Sequence, residues 1–144
     1  MKQVQILLVE DNEGDILLTM EALEEAKIIN KISVVRDGKK AMEFLMKEGE
    51  YKNETTPDLI LLDINLPRKN GHEVLKFIKQ EESLKQIPVI MLTTSSSEND
   101  ILSSYKNYAN CFITKPVDMD DFIKVVTEIE SFFVSIVRLP PNKN

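Results

Sequence analysis

Short apolar runs alternate along this chain with longer amphipathic segments, and this alternation is the feature that most constrains the fold. The apolar runs read as buried strands and cover residues 4–9, 32–35, 59–62, 89–92 and 111–113. Strict alternation of strand and helix favours a parallel sheet with right-handed crossovers and helices on both faces. The sequence therefore predicts an α/β fold with one five-stranded parallel sheet.

The segments between these runs carry apolar residues three or four positions apart, which is the spacing of a helix that packs one face on a sheet. The positions predicted to face the sheet are Ile16, Met20 and Leu23, then Ala41, Phe44 and Leu45, then Val74, Phe77 and Ile78, and last Phe122, Val126, Ile129, Phe133 and Val137.

Length and charge indicate one domain with protein partners. The chain has 144 residues, and we assign 1–138 to the domain and 139–144 to a C-terminal tail. Its 18 Lys and Arg against 24 Asp and Glu give a net charge of -6, which disfavours binding to nucleic acid or to an anionic membrane. No run approaches the ~18 apolar residues of a membrane span. The single cysteine, Cys111, cannot form an intramolecular disulfide, so we expect a cytoplasmic protein.

Polar residues follow four of the predicted strands directly. Glu10 and Asp11 follow the first strand, Asp63 the third, Thr93 the fourth, and Lys115 comes just after the fifth. In an open parallel sheet, ligands bind at the carboxyl ends of the strands, where the strand order reverses direction. We therefore expect these five side chains to lie at one edge of the sheet.

The chemistry of this set favours phosphoryl transfer. Three crowded carboxylates are best reconciled by a hard divalent cation such as Mg2+, which accepts carboxylate and phosphate oxygens. A carboxylate beside that ion can attack phosphorus and form an aspartyl phosphate. Lys115 and Thr93 can then stabilise the phosphoryl oxygens in the transition state.

The pattern resembles the receiver domains of two-component response regulators over nearly the whole chain. The motifs that carry the resemblance are Leu8-Val9-Glu10-Asp11-Asn12, Leu61-Leu62-Asp63-Ile64-Asn65-Leu66-Pro67, Lys69-Asn70-Gly71, Thr93, and Lys115-Pro116. One departure is an acidic pair of Glu-Asp where many members have Asp-Asp.

The resemblance implies the flavodoxin-like doubly wound (βα)5 fold with strand order 2-1-3-4-5. It also implies that Asp63 is the phosphoacceptor and that Glu10, Asp11, Asp63 and the backbone carbonyl of Asn65 hold Mg2+. By the same resemblance Thr93 and Lys115 contact the phosphoryl group, and Phe112, three residues before Lys115, is a switch aromatic.

A finer resemblance is to the single-domain response regulators that serve bacterial phytochrome histidine kinases. The segments that carry it are Val35-Arg36-Asp37-Gly38 leading to Ala41-Met42-Glu43-Phe44-Leu45, the stretch around Tyr51, and the tail Phe132-Phe133-Val134-Ser135-Ile136-Val137-Arg138-Leu139-Pro140. It implies a sensor histidine kinase as the phosphodonor and a downstream protein, not named by the sequence, as the target.

Other functions remain open at this point. A phosphohydrolase that forms an aspartyl phosphate needs a second carboxylate two residues after the nucleophile, and Asn65 stands there. The first turn lacks the glycine fingerprint of a dinucleotide-binding oxidoreductase. A phosphoryl shuttle in a phosphorelay and an unphosphorylated binding module both fit. We expect a signalling protein that catalyses only its own phosphorylation and dephosphorylation.

The last predicted helix also suggests self-association. Ile123, Phe132 and Val134 lie off the stripe that should face the sheet. Three such residues indicate an apolar patch, and a two-fold contact between identical chains is the commonest way to bury one. The sequence therefore predicts a homodimer through the C-terminal helix region.

Overall fold

The computed structural model describes residues 3–26, 30–93 and 111–128. The strands are β1 (Val4–Val9), β2 (Asn30–Val35), β3 (Leu59–Asp63), β4 (Val89–Thr93) and β5 (Cys111–Thr114). The helices are α1 (Glu13–Glu25), α2 (Gly38–Leu45), α3 (Gly71–Gln80) and α4 (Met119–Glu128), with a 3-10 turn at Gly49–Tyr51.

All strand pairs are parallel, and the sheet order is β2-β1-β3-β4-β5. The predicted α/β class, the five strands and the order 2-1-3-4-5 are confirmed.

Two apolar layers cover the sheet, one on each face. Alternate residues of a strand point to opposite faces, so β1 sends Leu8 into one layer and Leu7 into the other. Phe122 of α4 packs in the layer with Leu8, and Phe44 of α2 packs in the layer with Leu7. Burial on both faces explains why the strands read as continuous apolar runs.

The central strands place the polar residues that follow them. Val9 of β1 pairs with Leu62 of β3, so the next residues along the chain, Glu10 and Asp63, lie side by side. From this point the chain builds β2 on one side of β1 and β4 on the far side of β3, which makes the β1/β3 boundary the reversal point of the strand order.

A glycine lets α3 begin against the end of β3. A Cβ at Gly71 would overlap the carbonyl oxygen of Asp63 and would lie 2.7 Å from Cα of Ile64. Asn70 and Glu73 form a capping box that fixes the first turn of the same helix. The loop after Asp63 is thus held at both ends.

One predicted packing position is wrong. Met20 was expected to face the sheet, but its side chain is 39% exposed, and Thr19 is buried in its place beside Ile16 and Leu23. Helical spacing joins positions 16 and 23 either through residue 19 or through residue 20. Because Met20 is apolar and Thr19 is polar, the sequence favoured residue 20, which was wrong. Ile129, Phe133 and Val137 lie outside the described residues, as do the tail at 139–144 and the side chain of Val126.

Within 3–26, 30–93 and 111–128, no helix combines the length and the apolar character that crossing a bilayer requires.

Candidate functional site

Three carboxylates meet where β1 and β3 end. Glu10, Asp11 and Asp63 each offer one oxygen, and these oxygens lie within 4.8 Å of one another. Glu10 and Asp63 are 0% and 1% exposed, whereas Asp11 is exposed to solvent. The cluster is therefore buried on the sheet side and open on one side, which is where a ligand can enter.

Backbone groups orient two of the three carboxylates. The N–H of Asn65 donates to Oδ1 of Asp63 at 3.2 Å, and the N–H of Asn12 donates to Oε2 of Glu10 at 3.2 Å. Glu10 is also tied to β2, because its own N–H donates to the carbonyl of Val35 at 3.0 Å. The oxygens that could bind a ligand are thus set by the loops that carry them.

Lys115 lies against this cluster from the end of β5. Its Nζ is 2.9 Å from Oδ2 of Asp15, 3.1 Å from Oε1 of Glu10 and 3.3 Å from Oδ2 of Asp63. Its side chain is 7% exposed. Its N–H donates to the carbonyl of Thr93, and its peptide bond with Pro116 is cis. The ammonium therefore donates hydrogen bonds to Glu10 and Asp15 and forms an ion pair with Asp63.

The electrostatics show an excess of negative charge. Burial, followed by the hydrogen bond with Asp63 and the charge of Asp63, raises the pKa of Glu10 to about 7. Burial acts to lower the pKa of Lys115, but the hydrogen bond with Asp15 and the charges of Asp63 and Glu10 outweigh it, so this pKa is raised. Among the described residues, the single positive charge of Lys115 is not enough to neutralise the three carboxylates around it.

This donor set fits a divalent cation. Carboxylate oxygens are the ligands that Mg2+ prefers, and it binds proteins through one or two carboxylates while retaining waters. The three oxygens within 4.8 Å of one another carry the fit, and a divalent cation there would favour the charged form of Glu10, whose pKa burial and Asp63 raise. Asn65, the fourth predicted ligand, is exposed and lies two residues after Asp63.

The structure places the two predicted switch residues on neighbouring strands. Thr93 ends β4 and is 4% exposed, one position beyond Leu92, which pairs with Asp63. Phe112 lies in the middle of β5, is half-buried, and packs against the apolar layer formed with α2 and α3. Thr93 therefore lies at the carboxyl end of the strand next to β3, whereas Phe112 pairs with Met91 and packs in the apolar layer.

Asp15 is the residue of this site that the sequence did not predict. It lies in the first turn of α1 and contributes the shortest ion pair of Lys115. Its only sequence signal was an acidic residue near a helix start, which is ordinarily explained by the helix dipole.

Comparison with known proteins identifies the family. Residues 6–127 match the response regulator receiver domain family. The chain is 49% identical over 135 residues to the response regulator Rcp1 of Synechocystis sp., covering 94% of this chain and 92% of that protein.

Two solved structures are also similar. The phosphorylated cyanobacterial phytochrome response regulator RcpA has a TM-score of 0.79 and 47% identity, with 97% of this chain and 100% of that chain covered. The Mn2+-bound form of Rcp1 has a TM-score of 0.77 and 48% identity, with 96% and 99% covered.

The chain belongs to the response regulator receiver domain family. The predicted family is confirmed, and with it the class of function, that of a response regulator whose receiver domain accepts a phosphoryl group.

Proposed function

We propose that Asp63 is the phosphoacceptor and that it receives the phosphoryl group from a sensor histidine kinase in a Mg2+-dependent reaction. The observation that carries this assignment is the environment of its carboxylate. Asp63 is buried at the end of the central strand, Asn65 N–H holds Oδ1, and Lys115 Nζ lies 3.3 Å from Oδ2. A buried carboxylate with both oxygens oriented is ready to attack along one direction.

The transfer forms one bond and breaks one. A carboxylate oxygen of Asp63 bonds to phosphorus, while the bond from phosphorus to the donor imidazole nitrogen breaks and that nitrogen keeps the electron pair. Lys115 lies where it can stabilise the charge of the phosphoryl oxygens, and Thr93, one position beyond the residue that pairs with Asp63, would donate its hydroxyl to one of them. Glu10, Asp11, Asp63 and the Asn65 carbonyl would hold Mg2+, which when bound neutralises charge on the phosphoryl group.

The test replaces Asp63 and follows label from a phosphorylated histidine kinase. Asp63→Asn keeps the size of the side chain but removes the nucleophile, so we expect no uptake of radiolabelled phosphate. Asp121→Asn, an equivalent change at an exposed position of α4, should be labelled like the unaltered protein. Acid-stable or undiminished labelling of Asp63→Asn would place the acceptor at another residue. Absence of labelling in the unaltered protein would favour the unphosphorylated binding module.

The kinase we propose is of the phytochrome type. Support comes from RcpA, which is described as a phytochrome response regulator and is 47% identical over nearly the whole of both chains. In a panel of purified histidine kinases, a phytochrome kinase should label this protein fastest, and its rate should depend on illumination. Equal labelling by unrelated kinases would refute this partner. Passage of the label to another histidine protein would instead identify a phosphoryl shuttle.

We further propose a cytoplasmic homodimer built on the C-terminal helix region. Of the three residues that suggested it, Phe132 and Val134 lie outside the described residues, and Ile123 is 36% exposed on α4. Sedimentation at tens of micromolar as a monomer, with and without beryllofluoride, would refute the dimer.

A further inference from the structure

Asp15 links the start of α1 to the phosphorylation site. Its N–H donates to Oδ1 of the helix cap Asn12 at 2.9 Å, and its Oδ2 accepts from Nζ of Lys115, 100 residues away, also at 2.9 Å. The Asp15 side chain is 27% exposed, whereas that of Lys115 is 7% exposed. The carboxylate is thus anchored on a rigid helix turn and directed at a buried ammonium.

We propose that Asp15 is a positioning residue for phosphoryl transfer, holding the ammonium of Lys115 against Asp63 while the other carboxylates bind Mg2+. This inference rests on the proposed function of Asp63 and Lys115. It concerns how the lysine is held, and it assigns Asp15 no contact with the phosphoryl group.

Helix capping at α1 leaves the Asp15 carboxylate available for Lys115. An acidic residue at the third position of a helix commonly accepts from the N–H of the cap residue, as Glu73 does at α3 with the N–H of Asn70 at 3.1 Å. At α1 that role is already filled, because the cap N–H of Asn12 donates to Oε2 of Glu10. The Asp15 carboxylate therefore turns away from its own helix start and pairs with Lys115.

The carboxylates around Lys115 fall into two groups, those of the candidate metal site and Asp15. Lys115 has three carboxylate partners, and two of them, Glu10 and Asp63, belong to the candidate metal site. Asp15 does not belong to that set. Glu10 and Asp63 would also bind the divalent ion. Within the described part of the chain, Asp15 would then be the carboxylate that pairs with Lys115 and not with the ion.

The lysine side chain is flexible, so the ammonium of Lys115 needs partners to hold it in place. Lysine carries a point charge on a flexible four-carbon stem, so its position is set by its partners rather than by its own geometry. A buried ammonium without a partner is costly and would move toward water. Losing Asp15 would leave Lys115 only the two carboxylates that would also bind the divalent ion, so Nζ would be held less firmly at its position 3.3 Å from Oδ2 of Asp63.

The test separates positioning from metal binding. With acetyl phosphate and saturating Mg2+, Asp15→Ala should lower the phosphorylation rate constant about tenfold, since a misplacement of about 1 Å can cost on the order of 100-fold in rate. Its Mg2+ dissociation constant, measured by calorimetry, should change less than about threefold. Asp15→Asn keeps an acceptor oxygen, so its phosphorylation rate constant should lie between those of the unaltered protein and Asp15→Ala. A loss of Mg2+ affinity as large as the loss of rate would overturn the inference.

The control is Glu13→Ala, which removes the same charge from the same helix turn. Glu13 is exposed and pairs with Arg36 at 2.8 Å rather than with Lys115. The Glu13→Ala variant should keep the phosphorylation rate constant of the unaltered protein. A slowing equal to that of Asp15→Ala would show that the charge of the turn matters, and would overturn the specific role of Asp15.

A double-mutant cycle tests whether Asp15 acts through Lys115. In a Lys115→Met background, Asp15→Ala should produce no further slowing, because the group it holds is gone. An equal tenfold loss in that background would overturn the inference. If the unaltered protein were not phosphorylated at all, the proposed function would fail instead, so the two failures are distinguishable.

Discussion

Replacing Glu10 with glutamine should stabilise the protein in the absence of metal at pH 8. Burial and Asp63 raise the pKa of Glu10 from 4.5 to about 7. At 1.36 kcal/mol per pKa unit, ionising Glu10 in the folded protein costs roughly 3 kcal/mol relative to the unfolded chain. The shift already includes the attraction of Lys115. Glutamine avoids the cost of the charge but offers one acceptor oxygen where Glu10 accepts with both, so we expect a net gain of about 1 to 2 kcal/mol. For a domain of this size that corresponds to a Tm increase of roughly 3 to 8 °C.

The pH dependence has a definite sign. Because the pKa of Glu10 is raised on folding, the folded state binds an extra proton between pH 4.5 and about 7. The contribution of Glu10 to stability therefore falls as pH increases through this window, by at most about 1.36 kcal/mol per pH unit. The difference between Glu10→Gln and the unaltered protein should be small near pH 4.5 and largest above pH 7.

Thermal unfolding in EDTA from pH 5 to pH 8, followed by circular dichroism, measures this difference. Added Mg2+ should raise the Tm of the unaltered protein more than that of Glu10→Gln, because the variant has lost one carboxylate ligand. A stability difference between Glu10→Gln and the unaltered protein that does not change with pH would refute the claim that the charged form of Glu10 destabilises the folded protein. A variant that is less stable than the unaltered protein at pH 8 would refute it as well.

Two further variants test the proposed switch and the loop that follows the phosphoacceptor. Thr93→Ala should still be phosphorylated but should signal poorly, since one charge-assisted hydrogen bond of ~1.5 to 3 kcal/mol would be lost from the active state. We also expect Thr93 and Phe112 to move together on phosphorylation, and unchanged positions of both side chains in a beryllofluoride-bound structure would contradict this coupling. Gly38→Ala should weaken Mg2+ binding several-fold, because a Cβ there would overlap the carbonyl oxygen of Lys69 and displace the loop. Unaltered Mg2+ affinity by calorimetry would contradict this.

The fold was predictable because burial on both faces leaves a simple trace in the sequence. Each strand of a parallel sheet is apolar on both sides, so β1 and β3 read as uninterrupted runs, and their ends could be placed within a residue. The helices were harder. The choice between Thr19 and Met20 depends on where α1 lies on the sheet, which periodicity does not encode.

The site was predictable where a residue directly follows a strand, and not where it lies on a helix. Glu10, Asp63 and Lys115 meet because parallel strands end at one edge, which follows from topology alone. Asp15 reaches the same place from a helix turn, across 100 residues of sequence. The cap N–H of Asn12 donates to Glu10 and not to Asp15, a choice between hydrogen-bond acceptors that only the structure displays.

The acidic cluster is better explained by function than by stability. A charged carboxylate that is buried beside another costs free energy, and burial followed by Asp63 raises the pKa of Glu10 for this reason. An apolar pair at the ends of β1 and β3 would continue the buried runs that precede them without this penalty. Lys115 offsets only part of it, although its side chain is nearly buried among three carboxylates. A fold that keeps excess negative charge at the reversal point of its sheet is less stable than it could be, and the cation binding and phosphoryl transfer proposed for this cluster would explain why the arrangement is kept.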